Sequence, residues 1–194
     1  MTISPLDSLA ARLESAEALD GPARAVARTV RTLVGDGPAK DALSGAWLGH
    51  ALHPLLTDIP IGTWTSASLL DWMGGRDSRS AADRLILAGI AAAGATAVTG
   101  WSDWADAADD DHAVRRAGLV HAVANGSAGA LMVGSYVART RGARGRGKLL
   151  SLAGMAALGA GGWLGGHLSY TLGAGVTASA PAAGTQATAS AASA

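Results

Sequence analysis

Residues 117–138 read AGLVHAVANGSAGALMVGSYVA, a run of 22 residues that contains no Asp, Glu, Lys or Arg. An apolar segment of about 20 residues is long enough to cross the hydrocarbon core of a bilayer as a helix. Similar uncharged stretches lie on either side of it, at 85–102 and at 149–172. The sequence therefore predicts a membrane protein whose fold is determined by long apolar helices.

A further apolar segment precedes these three, but it is interrupted. Residues 45–73 contain Pro54 and Pro60, and each proline removes a backbone hydrogen-bond donor. We interpret this segment as one helix broken near residues 52–60. The fold class expected is all-α: an integral membrane four-helix up-down bundle with N-terminal amphipathic helices. Its four segments lie near 45–73, 84–102, 116–138 and 148–172.

Three regions are expected along the chain. Residues 1–44 form an N-terminal amphipathic helical region, where Ser4 caps a short helix and a second helix extends to about residue 34. This second helix either packs on the bundle or lies on the membrane surface. Residues 45–173 form the four-helix transmembrane domain. Residues 174–194, rich in Ala, Ser, Thr and Gly, form a low-complexity tail that is expected to be disordered. The polar stretch 103–111 is expected to be an acidic, solvated loop.

Charge and composition narrow the location and the partners. The net charge is zero, so long-range attraction to nucleic acid is not expected. The chain contains no cysteine, so it cannot itself provide a disulfide, an iron–sulfur cluster or a thiolate ligand. The preference for Arg over Lys, with abundant Ala and Gly, is typical of a GC-rich bacterial genome. We therefore expect a multi-pass protein in the lipid bilayer of the bacterial cytoplasmic (inner) membrane. Basic residues crowd the short loops 74–84 and 139–148, which favours a cytoplasmic location for both loops.

Four histidines, His50, His53, His121 and His167, lie inside or at the edge of the apolar segments. Ionisable residues within membrane helices are rare and are usually functional. The first and third segments run in one direction and the fourth runs back, which places all four histidines near the membrane face that carries the N-terminus. Imidazole binds haem iron and also zinc, copper or iron ions. A cofactor or metal site near this face is therefore predicted.

The preferred pair of axial ligands for a haem b is His53 with His121. The segments that carry them are diagonal in an up-down bundle, so the two side chains can approach a haem from opposite sides. His50 and His167 are then alternative ligands or supporting residues. A ligating imidazole usually has a hydrogen-bond partner for its second ring nitrogen. The candidates nearby in sequence are Asp58, Asn125, Asp103 and Tyr170.

Several motifs resemble a known family. Residues 49–62, GHALHPLLTDIPIG, resemble the signature of a bacterial family of predicted membrane proteins, domain of unknown function 2231. The stretches GWSDW at 100–104 and GGHLSY at 165–170 are similar to later motifs of that family. The resemblance implies a four-helix membrane domain that is similar to haem-bearing cytochrome b bundles. Relatives are sometimes fused to Rieske-type iron–sulfur domains, and both features imply electron transfer.

Three functions are compatible with these observations. The first is electron transfer by a cytochrome b-like redox subunit with one b-type haem, whose partner is a quinone or a separate redox protein. The second is binding of a Zn, Cu or Fe ion by three or four of the histidines. The third is a non-catalytic membrane scaffold without a cofactor, in which the histidines join helices. A homo-oligomer is compatible with each of them.

Overall fold

The computed structural model describes residues 4–175, and this part of the chain is helical without any β-strand. The all-α prediction is therefore confirmed for the described residues. The predicted tail, from residue 176 onward, lies outside them. Among the described residues the α-helices are α1 Pro5–Glu14, α2 Asp20–Val34, α3 Pro38–Ser44, α4 Leu52–Met73, α5 Arg79–Asp110, α6 His112–Thr140 and α7 Arg144–Gly166. A π-helical turn, His167–Thr171, extends α7.

Three of the described helices are long and apolar enough to cross a membrane. They are α5 with 32 residues, α6 with 29 residues, and α7 together with its π-helical turn, 28 residues. At 1.5 Å per residue, each is longer than the hydrocarbon core of about 30 Å. Helix α4 has 22 residues and is not one of the three; it carries Asp58 and Asp71.

The long helices pack in chain order. Helix α4 contacts α5, α5 contacts α6, α6 contacts α7, and α7 closes back on α4. A single residue, Asp111, separates α5 from α6, and its extended backbone (φ −131°, ψ 121°) turns the chain. Its carboxylate accepts hydrogen bonds from the backbone N–H groups of Ala113 at 2.7 Å and Val114 at 3.1 Å. Asp111 therefore caps the first turn of α6.

Residues 103–110 are the last turns of α5, so the prediction of a loop over 103–111 was wrong. Aspartates near the C-terminal end of a helix interact unfavourably with its dipole. Here basic side chains from the N-terminal helices offset this unfavourable interaction. Lys40 lies 2.6 Å from Asp106, and Arg31 pairs with Asp109. These ion pairs join elements far apart in sequence, so they could not be read from the local pattern.

Helix α4 starts at Leu52 and continues through Pro60, so the expected break over residues 52–60 is absent. Pro60 has no N–H group to donate to the carbonyl of Leu56, four residues earlier. The hydroxyl of Thr96 on α5 donates to that carbonyl instead, at 3.1 Å. A neighbouring helix thus satisfies the backbone acceptor that the proline leaves free, and α4 remains one element.

The N-terminal helices rest on the bundle. Ser4 caps α1 as predicted, because its Oγ accepts from the N–H of Leu6 at 3.3 Å. Helix α2 packs against α5 through fully buried alanines; these are Ala27 on α2 and Ala105 and Ala108 on α5. At the start of α2, the carboxylate of Asp20 contacts Arg115 at 3.2 Å and Arg116 at 2.8 Å. These contacts fasten α2 to the beginning of α6.

Candidate cofactor site

His53 lies in the first turn of α4, half-buried against α5. Its Nδ1 atom is 2.9 Å from the carbonyl oxygen of Thr96. A carbonyl can only accept, so Nδ1 carries the hydrogen and donates it. In the neutral imidazole this leaves the lone pair on Nε2. His53 therefore presents Nε2 as a potential ligand.

The glycine at position 100 makes room for the His53 ring. A Cβ atom at Gly100 would lie 2.5 Å from Cε1 of His53, which is closer than real contacts allow. A residue with a side chain at this position would displace either the ring or the helix. The glycine of the GWSDW motif is therefore required where α5 approaches the histidine.

His121 occupies the corresponding position between α6 and α7. Its Nδ1 atom is 2.9 Å from the carbonyl oxygen of Gly161, so the same donor argument leaves the lone pair on Nε2. A Cβ atom at Gly165 would lie 3.0 Å from Cε1 of His121. The amide nitrogen of Asn125 donates to the His121 carbonyl at 2.9 Å and lies 3.3 Å from both ring nitrogens. The ring is thus oriented by two helices.

The rings of His53 on α4 and His121 on α6 make an edge-to-face contact. Their centroids are 6.4 Å apart and their planes are 80° apart. A metal atom held between two Nε2 atoms at about 2.0 Å each would place the ring centroids roughly 6.4 Å apart. The separation of His53 and His121 is therefore compatible with ligation of one metal atom from opposite sides.

The other two candidate histidines have different partners. His50 has an exposed side chain, and its Nδ1 lies 3.2 Å from the carbonyl of Ala51. The Nε2 atom of His167 is 2.7 Å from the carboxylate of Glu14 on α1, and its ring stacks on Trp163. Across residues 4–175, no group of three or more His, Asp or Glu side chains is arranged to hold a metal ion.

The predicted supporting residues are placed in different surroundings. Asn125 contacts His121, as described above. Asp58 is exposed, Tyr170 is 91% exposed, and Asp103 is half-buried on the penultimate turns of α5. In the described part of the chain, these three make no hydrogen bond to a histidine. Apart from Asn125, the partners that orient the two rings are backbone carbonyls, which every residue has, so no side-chain pattern in the sequence could reveal them.

A cluster of charged side chains joins the long helices at the opposite end of the bundle. Arg139 on α6 donates to Asp71 on α4 at 2.9 Å and to Asp83 on α5 at 3.1 Å. Arg144 on α7 lies 3.0 Å from each of the same two carboxylates. The side chains of Arg139 and Asp71 are each 1% exposed. In the sequence both arginines belong to the basic stretch 139–148, and nothing in the local pattern shows that they pair with Asp71 and Asp83.

These features define an all-helical protein with membrane-length helices, a contacting pair of histidines at one end and a buried ionic cluster at the other. Residues 49–178 match the family described as predicted membrane protein, domain of unknown function 2231 (DUF2231). The chain therefore belongs to this family, as the motifs around His53, Gly100 and His167 indicated. Comparison with curated proteins and with solved structures finds no match.

Proposed function

We propose that this protein is a four-helix protein of the bacterial inner membrane that binds one b-type haem between His53 and His121 and transfers electrons. The observation that carries the proposal is the 6.4 Å separation of the two rings. It is supported by the carbonyl oxygens of Thr96 and Gly161, each of which binds one Nδ1 atom. The partner is a quinone or a separate redox protein, because the chain has no cysteine for an iron–sulfur cluster.

The membrane arrangement includes α4 as the fourth span. Its 22 residues extend about 33 Å as a helix, which matches the hydrocarbon core. It packs against both α5 and α7, so the helices α4 to α7 form a closed ring of pairwise contacts. Asp71, near the end of α4, is paired with arginines, and Asp58 is close to its beginning. Asp71 is therefore paired within the protein, whereas Asp58 is exposed about 9 Å from the start of α4, towards one headgroup boundary of the span.

The donor set fits a b-type haem. Two neutral imidazoles would bind the iron through Nε2, and the carbonyls of Thr96 and Gly161 would hold the rings and increase their basicity. Gly100 and Gly165 give the two rings room between the helices, because a Cβ atom would lie 2.5 Å from Cε1 of His53 at Gly100 and 3.0 Å from Cε1 of His121 at Gly165. When bound, the haem supplies reversible one-electron chemistry.

A single metal ion is the second candidate, and one observation favours a particular ion. Structural zinc sites use four ligands, and catalytic zinc sites use three with a water molecule. Only His53 and His121 come together in the described residues, and no larger ligand group is formed there. Among zinc, copper and iron ions, copper(I) is the one that accepts linear coordination by two imidazoles. This alternative uses the same two nitrogen atoms as the haem.

Visible spectroscopy with metal analysis tests both candidates. The full-length protein is purified in detergent from haem-replete cells, alongside His53→Ala, His121→Ala and, as a matched control, His50→Ala. Haem binding predicts a Soret band in the wild type and in His50→Ala, and its loss in the other two variants. Circular dichroism shows whether each variant is folded.

The outcomes separate the alternatives. Protein without a Soret band that contains about one copper per chain, lost in His53→Ala, supports the ion instead of the haem. Colourless protein without bound iron, copper or zinc refutes both proposals. A Soret band that persists in both His53→Ala and His121→Ala shows that the ligands lie elsewhere.

A further inference from the structure

Unpaired positive charge is concentrated at the end of the bundle that lies opposite the two histidines. Residues 71–84 and 139–148 together contain eight basic and three acidic residues, a net charge of +5. Five of these arginines are exposed and make no ion pair within the described part of the chain. We refer to them as the basic cluster; they are Arg76, Arg79, Arg84, Arg141 and Arg146.

Two of the three carboxylates in these segments are already paired with other arginines. Asp71 and Asp83 are bound by Arg139 and Arg144 in the buried ionic cluster. Asp77 is the remaining carboxylate in these segments, and it is exposed to solvent in the loop. The charge of the basic cluster is therefore available to an anion from outside the chain.

The end of the molecule that carries His53 and His121 has few unpaired basic side chains. Most of its basic side chains are paired with carboxylates of the same chain. These pairs are Arg24–Asp20, Arg31–Asp109, Lys40–Asp106, Arg115–Asp20 and Arg116–Asp20. The asymmetry follows from the distribution of carboxylates, because residues 1–44 and 103–116 contain eleven acidic and seven basic residues, whereas 71–84 and 139–148 contain three acidic and eight basic residues.

Exposed apolar side chains lie next to the basic cluster. Trp72 is 59% exposed, Met73 81% and Leu149 64%. The Lys148 ammonium lies 4.9 Å from the centroid of the Trp72 ring, which places the end of α4 beside the start of α7. Tryptophan and long apolar side chains at a helix end are typical of the boundary between acyl chains and headgroups. The arginines are therefore positioned at headgroup level.

We infer that the basic cluster binds the phosphodiester headgroups of anionic phospholipids. A guanidinium group matches the geometry of phosphate oxygens and can donate two parallel hydrogen bonds. Basic residues immediately beyond membrane helices favour anionic lipid by about fivefold each. The neighbouring apolar side chains contact the acyl chains of the same lipid, which a soluble anion does not have. This binding does not depend on the proposed haem.

Native mass spectrometry of the full-length protein measures lipid retention. The probes are phosphatidylglycerol and phosphatidylcholine at equal concentration in detergent. The test variant carries Arg76→Gln, Arg84→Gln and Arg141→Gln. The matched control carries Arg12→Gln, Arg24→Gln and Arg28→Gln, which remove the same charge from exposed positions on the N-terminal helices.

The wild type is expected to retain phosphatidylglycerol at least tenfold more than phosphatidylcholine. The test variant should lower this ratio tenfold or more, and the control should change it by less than twofold. Equal retention of the two lipids by the wild type, or equal losses in both triple variants, would overturn the inference. Displacement of phosphatidylglycerol by millimolar inorganic phosphate would show a site for the free anion. If the test variant does not fold, the single variants Arg141→Gln and Arg12→Gln are compared, with a loss of about fivefold expected for the first alone.

Discussion

Replacement of Asp71 by Asn tests the buried ionic cluster directly. The change keeps the size of the side chain and removes its charge, so no cavity is created. In the wild type, Asp71 binds Arg139, and both side chains are 1% exposed. It also lies 3.0 Å from Arg144. After the substitution, the Arg139 guanidinium remains buried with only Asp83 as an ionic partner.

The expected loss of stability is about 3 kcal/mol. Removing one partner of a buried ion pair typically costs about 3–5 kcal/mol, because the remaining charge is left without compensation. The lower end applies here, since Asp83 still lies 3.1 Å from Arg139. Asp83 itself is 32% exposed, so water can replace part of its role. Asp83→Asn should therefore cost only about 1 kcal/mol.

Reversible unfolding in mixed micelles, followed by far-ultraviolet circular dichroism, measures these free energies. Asp83→Asn is the matched control, because it removes the same charge from the same cluster at a more exposed position. The double variant Asp71→Asn with Arg139→Gln completes a thermodynamic cycle. The double variant should lose about 2 kcal/mol less free energy of unfolding than the sum of the losses in Asp71→Asn and Arg139→Gln, since neither charge is then left without its partner.

Two results would refute this reasoning. The first is an Asp71→Asn variant whose free energy of unfolding lies within about 0.5 kcal/mol of the wild type, as is usual for surface sites. The second is an Asp83→Asn variant that loses as much as Asp71→Asn. Either would mean that exposure does not determine the strength of these ion pairs.

Three further predictions concern the histidine end. Arg116 lowers the pKa of Asp20 most, and Arg115 lowers it further. The ionised carboxylate therefore stabilises the docked N-terminal helices fully above its unfolded pKa of about 3.9. This stabilisation is lost as the pH falls from there towards the lower pKa of the folded state. The protection factors of the α2 amides, which correct for the slower intrinsic exchange in acid, should therefore decrease as the pH falls below about 4 in the wild type and already be lower at neutral pH in Asp20→Asn; unchanged protection factors contradict this. Gly100→Ala should weaken haem or metal retention by displacing His53, whereas Gly94→Ala on the same helix, where a Cβ meets nothing within 4 Å, should not; equal retention would argue against the required close approach. Asp111→Ala should lower the free energy of unfolding by about 1 kcal/mol through loss of the helix cap, and Asp111→Ser should restore most of it.

Much of the helical framework could be predicted from the sequence, because hydrophobicity and capping are local properties. The three membrane-length helices, the Ser4 cap and the family were all recognised in this way. The loop expected over 103–111 was wrong, because its aspartates are stabilised in a helix by Lys40 and Arg31. The continuous course of α4 also depends on another helix, since Thr96 satisfies the acceptor that Pro60 leaves free.

The candidate site was also predicted from the sequence only in part. Helix direction alone indicated that His53 and His121 could approach each other, and the structure places their rings 6.4 Å apart. Whether they bind a cofactor remains a prediction. The sequence grouped His50 and His167 with this pair by depth, but depth does not determine which way a side chain points. In the structure, His167 meets Glu14 from an N-terminal helix.

By itself, the sequence determined that this protein is built from apolar helices of membrane length with histidines near one end. Such features follow from the order of residues along each helix. Only the tertiary structure decided which polar groups meet. The carbonyls that orient the histidines, the carboxylates that pair with Arg139 and the arginines that remain unpaired all depend on contacts between helices distant in sequence. A polar group can be buried only where another helix supplies its partner, and an arginine stays exposed where none does, so these roles appear only once the helices are assembled.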